Sequence, residues 1–509
     1  MAMNRINRRM IIYKLFYFFS IAGVSITPFV GLYCKYLGLS ASDIGIVTAA
    51  QPITVAVSQP IIGFLTDKWR CPRFTVSFCG TLWIGSIFAM GLAVPPLLRE
   101  KSCKSIQEDF NDQEQSYLLF LNNVSAEYDE TECLDLLNRI VQFQPLEEER
   151  SWIYSSKSLQ NVFYILLILY SLNGLSFNPL HSIADAESVN TLQEMGIDMA
   201  EYGKQRAFGS LGWGIAPLIY GSWITLTRGC QIKCGIPLTM VQYVPVFMVC
   251  MFFAVCSVIT MIFFSYKWHK EGSDSSKGLE KRILIQLCSL PNLAMIFVTT
   301  FIGMCNGTVQ GFLYWHLDSL GGTELVMALA SVCHGLSEFL LGLVTGVLTR
   351  RFGYFPLMTV GILTYMFRFI YYAFVKEPWW ILGSELLHSL TFLLTWNTAL
   401  SYLSLAVPEE YRTSLASLLN ALHFGFGNAI GYLLGGYLIN IYGSILVFKL
   451  YSVLCAAVSI VFVCIFMTHD AAVKNGEPNE EKHNIDIKLP RPGKYLPDYV
   501  TVHQQDAQD

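Results

Sequence analysis

Charge is scarce in this sequence. Asp, Glu, Lys and Arg make up 14% of its 509 residues, against about 25% in an ordinary soluble domain. So small a charged fraction excludes a conventional soluble globular chain. The formal net charge is −4, so the excess positive charge that nucleic-acid binding needs is missing too. No G-x-x-x-x-G-K-[ST] stretch occurs, which argues against nucleotide-driven pumping. No spacing of cysteine and histidine fits a zinc site. With neither a nucleophile motif nor a metal motif, the chain reads as a non-enzyme without a cofactor.

Apolar sequence is what the chain has in plenty. Hydrophobic residues are 53% of it, and its mean hydropathy is +0.44. The charges sit in a few islands, and the runs between them reach about 20 residues, enough to cross a hydrocarbon core of about 30 Å as helices. Twelve runs qualify, near 11–36, 42–66, 73–96, 158–180, 204–226, 239–265, 284–314, 323–349, 355–375, 379–405, 411–438 and 443–467. Solid apolar runs predict helices rather than the alternating strands of a barrel. The expected fold class is an all-α membrane protein of twelve spans. The first run exceeds a signal-peptide core and has no small-residue cleavage site behind it, so it stays as the first span.

If the spans alternate, the basic islands share one side: Asn4 to Arg9, Asp67 to Arg73, Lys267 to Arg282, and Arg350 with Arg351. The positive-inside rule then makes both termini cytoplasmic. The other side holds an acidic loop, 97–157, with the glycosylation sequon Asn123-Val124-Ser125. Cys103 and Cys133 lie in the same loop, on the oxidising side, and are a candidate disulfide. A plasma-membrane protein fits this arrangement best.

A charged stretch divides the runs. The expected organisation is an N-terminus (1–10), a first half (11–265), a central loop (266–283), a second half (284–467) and a disordered polar tail (468–509). An internal repeat agrees with the division: GFLTDKWRCPR begins at Gly63, and GVLTRRFGYFP begins at Gly346. Each copy puts glycine, then Leu-Thr, then charges at the cytoplasmic mouth of a half's second span. Such a motif suits a tight helix crossing locked by charge, although a plain basic anchor would also look like this. Gly63, Asp67 and Lys68 resemble the G-x-x-x-D-[RK]-x-G signature of the major facilitator superfamily, with Arg70 in place of its second glycine. In the second copy Arg350 replaces the aspartate, Arg351 follows, and Gly353 keeps the glycine.

The stretches YGKQRAFGSLGWG, FLYWHLDSLGGT and ELLHSLTFLLTW through GYLLGGYLINIYG are similar to the family of major facilitator superfamily domain-containing protein six. That family is itself similar to bacterial galactoside and nucleoside proton symporters. The resemblance implies two six-helix bundles rocking about a central site.

Ionisable groups inside spans cost a few kcal/mol each and are functional candidates by default. His334 and Glu338 are four apart, on one helical face. Glu338 lies eleven residues from the end of its run, roughly 16 Å deep at about 1.5 Å per residue. Arg368 comes eight residues before Lys376, while Glu385 and His388 come five and eight after Trp380. A hairpin through KEPWW would bring Arg368, Glu385 and His388 to one depth, so a single cavity could collect all of them. Two uses fit: structural ion pairs, or a proton and solute site whose carboxylates change charge as neighbours move. The symporter resemblance implies the second for Glu338, Arg368, His388 and Glu385, with the order of the last histidine–glutamate pair reversed here.

The same resemblance covers G-x-x-R-x-x-G-x-x-G-W, matched by Gly203, Arg206, Gly209, Gly212 and Trp213. It implies that Arg206 grips substrate hydroxyls and that Trp213 stacks on a sugar ring, and both chemistries suit those side chains. The carboxylate partner of Arg206 would be Asp185 or Glu187; the other reading has Arg206 snorkelling to the surface. Asn306 and Gln310 are placed to line the path, and Trp315 and His316 read as membrane-interface anchors. Gly427, Gly431 and Gly435 repeat every four residues, a close packing face. The leading expectation is a secondary transporter in the lipid bilayer for a small polar solute such as a sugar or nucleoside, coupled to protons. Its rival is a transporter-fold receptor or scaffold whose outer loop binds a protein ligand.

Overall fold

Inside hydrocarbon a backbone has no water to bond, so each apolar run closes its own hydrogen bonds as a helix. The computed structural model describes residues 2–69, 71–99, 101, 153–196, 200–233, 236–264, 266, 287–407 and 412–474. Asn123, Cys103, Cys133 and most of the loops 97–157 and 266–283 lie outside the described residues, as does residue 475 onward. So do the side chains of Gly63, Asp67 and Lys68.

The first half comprises α1 (Ala2–Val24), α2 (Thr27–Tyr36), α3 (Ala41–Trp69), α4 (Pro72–Phe88), α5 (Ser156–Glu194), α6 (Ala200–Leu226) and α7 (Val244–Ile262). The second comprises α8 (Leu290–Ser319), α9 (Glu324–Gly342), α10 (Thr345–Phe352), α11 (Tyr354–Phe374), α12 (Ile381–Glu385), α13 (His388–Thr391), α14 (Leu393–Ser404), α15 (Arg412–Asn420), α16 (Asn428–Tyr442) and α17 (Ser444–Lys474). Among the described residues, eight helical stretches are long and apolar enough to cross a membrane. This is an all-α, multi-pass membrane architecture.

The structure departs from unbroken spans in several places. The run 379–405 is split into α12, α13 and α14, with breaks at Leu386–Leu387 and Phe392. The run 323–349 is interrupted between α9 and α10, and 411–438 passes through a π-helical stretch, Ala421–Gly427. A second π-helical stretch, Ala89–Ala93, ends α4. No proline lies within 379–405, so its breaks are not proline kinks; they fall where polar side chains converge, as described below. The expectation of helices alone also misses an antiparallel hairpin, β1 (Gly229–Lys233) with β2 (Ile236–Met240), in register Gly229↔Met240 to Lys233↔Ile236. It occupies a stretch between apolar runs, and α7 accordingly starts at Val244 instead of 239.

Packing sorts the helices into two groups. In the first, α1 lies against α6 and α7, and α5 against α3 and α4; in the second, α11 lies against α17 and α14, and α8 against α16. The groups meet along three seams: α6 with α9, α3 with α16, and α2 with α8. Close approach needs missing side chains. A Cβ on Gly335 of α9 would run into the Ser210 carbonyl of α6. The spaced glycines of α16 and the stretch before it abut α8: Gly427 faces the Thr300 carbonyl, Gly431 that of Met304, and Gly435 the Thr308 methyl. Below, the basal face is the one where α1 begins, and the distal face is the one reached by the end of α2.

Candidate functional site

A buried polar cluster sits in the second group, on α9, α11 and the broken helix α12–α13. Arg368 and Glu385 are both completely buried, an arrangement that survives only if each charge is fully bonded. It is. The Arg368 guanidinium donates from Nε to the Tyr372 hydroxyl at 2.8 Å, from Nη1 to Thr391 Oγ1 at 2.7 Å and from Nη2 to Glu385 Oε2 at 2.9 Å. Glu385 accepts on its other oxygen from Tyr372 at 2.5 Å and Ser384 at 3.1 Å, and His334 Nε2 also meets Oε2. The carboxylate therefore has four partners.

Glu338 is held differently. Its Oε1 lies 3.3 Å from His388 Nε2, and its Oε2 accepts from the Ser210 hydroxyl of α6 at 3.0 Å. Arg368 Nη1 is 3.4 Å from His388 Nδ1; since arginine only donates, Nδ1 accepts and Nε2 carries the proton directed at Glu338. The His334 and His388 rings stack at 4.0 Å. The side chain of Glu338 is 17% exposed, and Ser210 belongs to the other helix group. With neutral imidazoles the cluster counts one arginine against two carboxylates, one negative charge in excess, which one proton would cancel.

A structural pair between Glu338 and Arg368 is not what forms: Arg368 goes to Glu385. Helix breaks lie on either side of His388. At these breaks Glu385, His388 and Thr391 all reach the Arg368 guanidinium.

A second cluster lies in the first group, towards the basal face. Tyr17 of α1 donates to Asp185 Oδ1 of α5 at 2.6 Å. Arg206 of α6 approaches Asp185 Oδ2 at 3.9 Å and the Tyr202 hydroxyl at 3.4 Å. Its side chain is 55% exposed, and among the described residues most of its N–H donors remain open. His181, one turn before Asp185, is ringed by Phe16, Tyr17 and Phe177, and its buried Nε2 has no hydrogen-bond partner among the described residues. Of the two carboxylates open in the sequence, Asp185 is the one beside Arg206, and Glu187 is buried. Trp213 is partly buried against the apolar core, and Arg206, Ser210 and Trp213 share one face of α6 at i, i+4 and i+7. Gly209 and Gly212 carry no ligand chemistry: a Cβ on either would strike α1.

Other expectations move. Asn306 donates to Asn428 at 3.4 Å, and Gln310 accepts from Tyr432 at 3.1 Å, so both bond α8 to α16 instead of joining either cluster. Trp315 and His316 are buried, not interface anchors; His316 is held by Ser444 and the Tyr372 carbonyl because α11 and α17 cover it. Arg350 and Arg351 are exposed at the end of α10, and Gly353 turns the chain into α11 at φ +80°. Sequence reasoning overlooked Tyr17, His181, Tyr202, Ser210, Tyr372 and Thr391. Of these, His181, Tyr202, Ser210 and Tyr372 had a readable signal, an i, i+4 spacing from Asp185, Arg206, Arg206 and Arg368 respectively.

Comparison with known proteins places this architecture. Residues 10–450 match the profile of the MFS_1 like family. A major facilitator superfamily domain-containing protein 6-like of Danio rerio is 24% identical over 466 residues, covering 84% of this chain and 82% of its own. The maltose permease of Geobacillus stearothermophilus is 23% identical over 292 residues, 57% of this chain and 67% of its own. In fold, the crystal structure of the nucleoside transporter NupG superposes with a TM-score of 0.62 at 13% identity, covering 90% of this chain and 98% of that one. A POT family transporter in complex with 5-aminolevulinic acid gives 0.56 at 12% identity, over 90% and 96%. The chain belongs to the MFS_1 like family and has the major facilitator transporter fold.

Proposed function

We propose that the protein is a secondary transporter in which the Arg206–Asp185 cluster takes a small polar solute and Glu338 is the proton-coupling group. The observation that carries this is the unequal bonding of the two buried carboxylates. Glu385 is saturated by four partners, whereas Glu338 has two, is partly exposed, and bonds across the seam between helix groups. A proton on Glu338 removes the excess charge and alters the α6–α9 contact together, which is the linkage that coupled transport needs. His388 relays the state of Glu338 to Arg368, and His334 braces Glu385.

In the first group, Arg206 offers open donors and Asp185 an acceptor, while Trp213 supplies a flat apolar surface on the same helix face. Such a set suits hydroxyls on a ring, hence a sugar or nucleoside. Asn306 and Gln310 act one layer away, by holding α8 to α16. The Asp67 motif with Gly63 and Lys68, and its second copy at Arg350, Arg351 and Gly353, serve as basal gates. The basal face is cytoplasmic, Asn123 is glycosylated on the opposite side, Cys103 pairs with Cys133, and the protein resides in the plasma membrane.

The test is a thermal-shift screen of purified protein against sugars and nucleosides, repeated on Arg206→Lys. Lysine keeps the charge and loses the fork, so a solute that stabilises wild type should lose about tenfold in affinity, roughly 1.4 kcal/mol. Equal affinity in the variant would remove Arg206 from the solute site.

A further inference from the structure

The distal face carries an arrangement that neither cluster explains. There the two helix groups are joined by two ion pairs of the same polarity. Lys35 at the end of α2 meets Asp318 at the end of α8, Nζ to Oδ2 at 2.8 Å, with side chains 9% and 14% exposed. Tyr36 donates to the other oxygen of Asp318 at 3.1 Å, and Lys35 Nζ lies 4.7 Å from the centre of the Trp315 ring. Arg228, just past α6, reaches Glu324 at the start of α9 at 3.7 Å. Glu324 is 1% exposed, and neither of its carboxylate oxygens has a hydrogen-bond partner among the described residues. In both pairs the first group supplies the cation and the second the carboxylate.

Backbones close in around these pairs. A Cβ on Gly31 would meet the Gly311 carbonyl, one on Gly221 would meet Ala328 and the Glu324 carbonyl, and one on Gly45 would meet the Tyr432 carbonyl. Thr225 Oγ1 accepts from the Leu325 backbone N–H at 3.0 Å. Every one of these contacts crosses from one group to the other, and none can survive separation of the groups at this end.

The geometry points to a distal latch: Lys35–Asp318 holds the distal face shut in the state seen here, Arg228–Glu324 opposes it as a weak counterweight, and release of the first pair opens the face. The inference rests on the alternating-access part of the proposed function, not on any solute or proton. The two pairs divide the work. Lys35–Asp318 is short, shielded and braced by Tyr36 and Trp315, so it sets the strength of closure. Arg228–Glu324 is long, and Glu324 gains little from being buried, so it favours reopening once the first pair parts. Removing one partner of a shielded pair leaves the other charge buried and unmatched, and opening is the way for that charge to regain water. The closed state is therefore the one that neutralising Lys35 or Asp318 alone penalises.

Spin labels at Thr227→Cys and Ser319→Cys report the opening. Both positions are exposed on the distal face, in opposite helix groups. The full chain, with its other reactive cysteines replaced by serine, is reconstituted in lipid nanodiscs and read by double electron–electron resonance. The unaltered latch should give mainly the short separation. Lys35→Gln and Asp318→Asn should each raise the ratio of long to short separations by about tenfold, a shift typical of a state-specific contact. The exchange Lys35→Asp with Asp318→Lys should return the ratio towards its starting value. Glu324→Gln should instead favour closure, because it removes an unsatisfied buried charge. An unchanged distance distribution in both single neutralisations of the first pair would overturn the latch, as would a charge exchange as open as either single variant. The readout needs no transported solute. A chain that shifts its distances as expected but moves no solute retains the latch and loses the transporter reading; active uptake with unmoved distances does the reverse.

Discussion

Glu385 accepts from Arg368, His334, Tyr372 and Ser384, while Glu338 meets His388 and Ser210. A buried charge deprived of its partner costs far more than the pair is worth, so the two carboxylates should answer differently to the same change. Glu385→Gln leaves the completely buried Arg368 without its counter-charge and should destabilise the protein by about 3–5 kcal/mol, seen as lost thermal stability and poor yield. Adding Arg368→Gln should recover much of that loss. Glu338→Gln keeps an acceptor for Ser210 and strands no arginine, so it should fold at nearly wild-type stability. If the two glutamine variants are equally unstable, the assignment of Glu385 as structural and Glu338 as labile fails. The residues themselves were legible in the sequence, since charges inside apolar runs stand out. Their pairing was not: whether Arg368 takes Glu338 or Glu385 depends on rotations about helix axes that spacing does not fix.

Among the elements, α6 and α9 form the seam on which both clusters converge. Ser210 and Gly335 face each other there, the serine hydroxyl bonding Glu338 and its carbonyl filling the space where a Cβ of Gly335 would sit. Gly335→Ala should force the helices apart and cost about 1–3 kcal/mol of stability. Gly346→Ala on α10, where that space is open, should stay within about 0.5 kcal/mol of wild type. Thermal unfolding of the two variants checks the contrast, and equal stabilities would mean that the seam is looser than described. The helices were readable because apolar length is a strong signal. Their interruptions were not. The split into α12, α13 and α14 carries no proline, and it falls where Glu385, His388 and Thr391 all reach one guanidinium. The hairpin β1–β2 escaped for the opposite reason, being too short and too weakly patterned to register beside long apolar runs.

The whole molecule joins two helix groups by glycine-lined seams, with ion pairs at the distal end and the Ser210–Glu338 bond further towards the basal end. Lys35 and Asp318 are 283 residues apart in sequence, and nothing local to either marks the other; such closure becomes visible only when the groups are assembled. In the proposed mechanism the charge of Glu338 couples this assembly to proton movement. The most direct test compares two transport modes of Glu338→Gln in proteoliposomes, using a solute that stabilises the wild type. Exchange between equal pools needs no net proton movement, whereas accumulation against a gradient does. The variant should retain exchange, lose proton-driven accumulation and no longer respond to external pH. A variant that still accumulates solute with the wild-type pH dependence would contradict that mechanism.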